Sequence, residues 1–203
     1  MHGLLRHERL VFRFAALYGL GLLLFFAAWL VSYRFLPEAV LRGRTLAAVL
    51  AGRDAADTFF LEFVRIAGIN LVIAAVFVLV PNRLVAVGRL PLGYVPPLVW
   101  AVIYGVVIGT DSFTFISGGG RLAPSLTVFG RSGLYEIAAY CLLAASTHDI
   151  AVSRSRSLLS MRSEPIVPRP SLRARVHLPG VITATLLLMA ACAWEAYRIV
   201  NVP

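Results

Sequence analysis

Glu136 is a carboxylate about one turn inside the apolar run Phe129 to Thr147, and two further apolar runs carry charges of their own, Arg65 in one and Glu195 in another. A charge at the centre of a bilayer costs about 2.5–3.5 kcal/mol, and less near its edge. Residues kept at that cost serve as counter-ions to one another, as proton relays, or as determinants of helix pairing. Asn70 follows Arg65 in the same run and suits hydrogen bonding between helices. Chemistry of this kind needs a frame of membrane helices, and the rest of the chain supplies one.

The chain has 203 residues, 59% of them hydrophobic and 14% charged, with a mean hydropathy of +0.82. Soluble domains carry about 25% charge. Long apolar runs succeed one another, so the expected fold is all-α: a polytopic transmembrane helical bundle in a single membrane domain, 1–203. About five spans are expected, near 14–33, 59–80, 90–110, 133–147 and 178–197. The first is too long for a signal-peptide core and is read as a retained anchor. Between Arg34 and Asp57, the apolar Leu36, Val40, Leu46, Val49 and Leu50 predict a short interfacial helix. Pro81-Asn82 is expected to end the second span, and Pro96-Pro97 to begin the third. Gly118-Gly119-Gly120 marks a loop or partly re-entrant piece, and 148–177 reads as a basic cytoplasmic loop.

The formal charge is +9, and every basic residue is arginine. Most flank the apolar runs, where lipid headgroups and the positive-inside bias account for them, so no nucleic-acid partner is expected. Arg6, Arg9, Arg13, Arg83, Arg89 and the arginines of 148–177 fall on one side; Arg34, Arg42, Arg44, Arg53, Arg121, Arg131 and Arg198 fall on the other. The larger share marks the cytoplasm, giving a multi-pass cell-membrane protein with the N-terminus inside and the C-terminus outside. Cys141 and Cys192 lie within apolar runs, without metal-ligand spacing; no metal or cofactor is expected.

Depth then follows from helical rise. Arg65 lies about 9 Å in from the outer side, Glu136 about 5 Å and Asn70 about 17 Å, while Glu195 sits about 25 Å up from the inner side. Arg65, Glu136 and Glu195 therefore share the outer level, with Asp111 close by, and Arg65 is expected as counter-ion to Glu136 or Glu195. Glu62 and Arg65, three apart, can also face each other. Gly105 and Gly109 form a small-xxx-small pair that admits a close neighbour, and Gly133 opens the fourth span in the same way.

One enzymatic pattern is present. Gly130-Arg131-Ser132-Gly133 reads as G-x-S-G, and His177-Leu178-Pro179-Gly180 resembles the histidine helix of rhomboid proteases. A serine nucleophile needs its base within hydrogen-bond reach. The expected topology separates the two by roughly 30 Å of hydrocarbon. The chain is therefore expected not to be an enzyme.

Ser132-Gly133-Leu134-Tyr135-Glu136-Ile137-Ala138-Ala139 resembles the P-H-G-x-x-E-like helix start of the stage II sporulation protein M family. Ala190-Ala191-Cys192-Ala193-Trp194-Glu195-Ala196-Tyr197 is similar to that family's final helix, an alanine-rich run closed by Glu. Asn70 matches its helix with a central Asn, and Tyr104-Gly105 with Gly109 its N-G-x-x-x-G-like helix. The likeness spans Phe59 to Tyr197. Ser132, Arg131 and Tyr104 stand where the motifs have His, Pro and Asn. The residues that carry over are Asn70, Gly105, Gly109, Gly133, Glu136 and Glu195. The resemblance implies a membrane scaffold for an envelope machine, in sporulating bacteria one that remodels septal peptidoglycan. Expected partners are the lipid bilayer, other membrane or envelope proteins and a further copy of the chain. The alternative is a transport or proton-coupled subunit in which Glu136 titrates.

Overall fold

The arginine-flanked run that opens the chain forms α1, Leu10–Phe35, whose 26 residues extend about 39 Å. Its buried residues, Arg13, Leu17, Gly21, Phe25, Trp29 and Ser32, recur every three or four positions and so draw one stripe down the helix. The computed structural model describes residues 3–44, 56–88, 90–113, 121–156 and 163–201. Of the expected interfacial helix, residues 38–44 are turns. Leu46, Val49 and Leu50 lie outside the described residues, as do Arg53, Arg89, Arg162 and Gly118-Gly119-Gly120.

Helix α2 runs over Phe59–Leu84, beyond the end expected at Pro81-Asn82. The reason is a π-helical stretch, Ala74–Leu79, in which the Val80 amide bonds to the Ala75 carbonyl. Widening the turn just before Pro81 makes room for its ring and absorbs the missing N–H. A 3-10 turn, Leu92–Tyr94, leads into α3, Val95–Gly109, with Pro96 and Pro97 in the first turn, where no intrahelical donor is required. Helix α4 is Gly133–Ser146 and α5 is Leu178–Asn201.

Among the described residues four helices are long and apolar enough to cross a membrane: α1, α2, α3 with its entry turn, and α5. The chain is a multi-pass membrane protein. The fourth expected span is different in kind. Helix α4 has 14 residues, about 21 Å, against a hydrocarbon core of about 30 Å. It packs against all four long helices, and every one of its side chains except Tyr135 and Leu142 is buried. The bundle is built around it, while α1, α2 and α5 turn large apolar side chains such as Leu23, Leu61 and Leu186 outward.

The bundle is mostly helical, but one end departs from the all-α expectation. Strands β1 (Val85–Val87), β2 (Leu90–Pro91), β3 (Ser153–Ser155) and β4 (Ser163–Pro165) form a sheet in the order β2-β1-β3-β4. Gly88, with φ at 62°, turns β1 into β2. Strand β3 lies parallel to β1, and β4 pairs antiparallel with β3. Part of the expected open loop 148–177 is therefore tied to the hairpin between α2 and α3. Strands of two or three residues show no readable alternation, so the pattern alone does not announce them.

Candidate functional site

The site begins where α4 begins. Gly133 needs to be bare because the Tyr104 ring of α3 occupies the space a Cβ would take. The Ser132 carbonyl accepts the amides of Tyr135 and Glu136, at 2.9 and 3.1 Å. This sets the Glu136 carboxyl in the first turn, where the helix dipole favours negative charge. Glu136 is 7% exposed. Glu195 of α5 faces it across the interface, with the Ser132 hydroxyl beside both.

A third carboxyl comes from α2. Glu62 is wholly buried and lies close enough to Glu195 for their charges to interact. It accepts the Ala56 amide at 2.8 Å and pairs with the Arg65 guanidinium at 2.5 Å. Arg65 was expected to serve Glu136 or Glu195; the ion pair seen here is with Glu62 on its own helix, as the three-residue spacing also predicts. Asp111 pairs with Arg42 at 3.3 Å. Three helices thus bring carboxyls and one guanidinium to one level. Such a group can hold a proton between oxygens, take a donor from a partner helix, or lock its own helices together.

One turn further along, Asn70 joins three helices. Its Oδ1 accepts the Tyr140 hydroxyl of α4, and its Nδ2 donates to the Cys192 sulfur of α5 at 3.5 Å. Tyr140 follows Glu136 by four residues and so lies on the same face, the one signal that marks it in the sequence. Gly105 and Gly109 meet α1 backbone to backbone: a Cβ on Gly105 would lie 2.5 Å from the Phe25 carbonyl, and one on Gly109 would lie 2.9 Å from that of Trp29.

The helix ends hold residues that spacing did not single out. Arg13 of α1 donates from Nε and Nη2 to the Ala145 carbonyl at the end of α4. Asn82 of α2 donates to the Ala144 carbonyl at 3.0 Å and to Thr147 at 2.7 Å. At the opposite end Arg121 donates to carbonyls of Gly109, Ser32, Tyr33 and Leu36, closing α1 and α3 together. Beside α4's end, His148 Nδ1 lies 2.9 Å from the Tyr94 hydroxyl. Burial pushes its imidazole below the ordinary value, Arg13 and Arg6 act the same way, and Asp149 opposes them.

Ser132 and His177 stand at opposite ends of α4, since the His177 amide bonds to the Ser146 carbonyl. Ser132 and His177 therefore do not form a pair. Cys141 and Cys192 are buried free thiols, and among the described residues no group of His, Cys, Asp and Glu has the arrangement of a metal site. Comparison of the chain with protein-family models, curated proteins and solved structures gives no match.

Proposed function

We propose that this protein is a membrane scaffold, an assembly component of a cell-envelope complex, with its N-terminus in the cytoplasm, its C-terminus outside and no catalytic chemistry of its own. One observation carries the reading: Glu136 at the start of α4 and Glu195 of α5 face each other beside Ser132, at one end of a bundle whose long helices present apolar faces outward. Polar groups spent on holding helices in register leave the outward faces to lipid and to partner helices. The resemblance to the stage II sporulation protein M family points the same way, towards a complex that remodels peptidoglycan.

The test is Glu136→Gln, with Glu195→Gln as its companion. Under the scaffold reading, both variants insert and remain monodisperse, but partners captured by the wild-type chain after crosslinking are lost. Partner capture unchanged in both variants would sink it.

A second reading, a proton-coupled transport subunit, is favoured by Glu136 Oε1, which is buried and has no hydrogen-bond partner among the described residues. Buried carboxyls in membranes mark ion pathways. Proton flux into vesicles that vanishes in Glu136→Gln while partner capture persists would select this reading instead.

A further inference from the structure

We infer that Glu136 and Glu195 bind a single proton between them, as a carboxylic acid hydrogen-bonded to a carboxylate that clasps α4 to α5. Contacts along the two helices fix their antiparallel register. At one end the His177 amide bonds to the Ser146 carbonyl, and at the other Trp194 Nε1 donates to the Gly130 carbonyl at 3.0 Å. Beside this second bond Phe129, Tyr135 and Trp194 wall an aromatic crevice. Between the two ends Asn70 holds Tyr140 of α4 and Cys192 of α5. Glu136 stands one turn from Tyr140 and Glu195 one turn from Cys192, both towards the end where α4 starts. Side chains lean towards the N-terminus of their own helix, so in an antiparallel pair these two carboxyls reach towards each other.

The surroundings suit one negative charge and not two. The dipole at the start of α4 and the Ser132 hydroxyl favour a carboxylate here, and Arg198, on the next turn of α5, acts on Glu195. Yet among the described residues neither Glu136 nor Glu195 forms an ion pair. Arg65 of α2 is bound to Glu62 at 2.5 Å, and Arg131, ahead of α4, lies over the Phe113 ring. The other groups packed around the pair are Tyr140, Cys192 and Tyr104 of α3, whose ring rests on Phe25 of α1; none of them carries positive charge. Glu136 is 7% exposed, and its Oε1 is buried with no hydrogen-bond partner among the described residues. In hydrocarbon a carboxylate oxygen without a donor is far costlier than the carbonyl oxygen of a neutral acid. Two facing carboxylates would also repel each other, and one shared proton turns that repulsion into a hydrogen bond. This proton site rests on neither reading of the function: it is present whether the bundle assembles partners or passes protons.

The test is infrared spectroscopy of the full chain in phosphatidylcholine bilayers at about pH 7, where exposed carboxyls are ionised. The wild-type chain should show the carbonyl stretch of a single un-ionised carboxyl group, and the band should move with isotope-labelled glutamate and with deuterium oxide. Glu136→Gln and Glu195→Gln should each abolish the whole band, because the glutamine amide then donates to the remaining carboxylate in place of the proton. Glu164→Gln, in the exposed strand β4, should leave it intact. A band that survives either of the first two substitutions, in whole or in part, would overturn the inference. Should those variants fail to fold, the wild-type intensity decides: no band, or a band with the intensity of two carboxyls, overturns it as well.

Discussion

Arg121 and Arg13 do for this bundle what water does for soluble helices. The last carbonyls of a helix have no partner within it, and in hydrocarbon each unsatisfied group costs several kcal/mol. Arg121 spans the ends of α1 and α3, and Arg13 closes α4, in each case with positive charge at the negative pole of the dipole. His148 lies beside the second of these ends, with a side chain only 8% exposed. Its folded-state affinity for protons is lowered, so the unfolded chain binds more protons than the folded one. Its contribution is therefore fully present above the unfolded value, roughly 6.5, and is lost as pH falls through the lower folded value. The melting temperature in detergent should hold steady from about pH 8 to 7 and decline below roughly pH 6.5. His148→Gln, which keeps a partner for Tyr94, should flatten that decline; an unchanged slope would place the titrating group elsewhere.

Among the elements, α3 was the most legible. Gly105 and Gly109 announced a close neighbour, because small residues four apart clear a groove for another backbone. What spacing could not say was which helix fills it. The answer is α1, whose Phe25, Trp29 and Ser32 sit against the bare positions. Gly105→Leu should therefore force α1 and α3 apart and destabilise the bundle by about 1–3 kcal/mol in a denaturant titration. Gly68→Leu, with nothing within 4 Å of its Cβ site, should change little; equal losses in both would mean that the α1–α3 contact is not the cause. Rise per residue also put Glu136 and Glu195 at one level, because depth depends only on where each helix starts. It could not assign Arg65, since Glu62 competes for it from the same helix. Nor could it see the π-helical turn before Pro81 or the short strands, which leave no periodic trace.

At the scale of the molecule, the two ends are unlike. One carries the sheet, Arg13, His148, Arg154 and Arg156; the other carries the carboxyls, Arg121 and the aromatic crevice. Helix α4 fixes this polarity, because Leu126 lies just before its start and Arg154 just after its end, both exposed. In the proposed orientation the sheet end faces the cytoplasm. With Cys141 and Cys192 buried, single cysteines placed at these two positions can be read with little background. A membrane-impermeant maleimide should label Leu126→Cys in intact cells and Arg154→Cys only after permeabilisation. The reverse pattern would turn the molecule over, putting the Glu136–Glu195 pair and the aromatic crevice on the cytoplasmic side. Labelling of both in intact cells would contradict the antiparallel bundle itself, because a span shorter than the bilayer can stay central only if the helices around it carry the chain across.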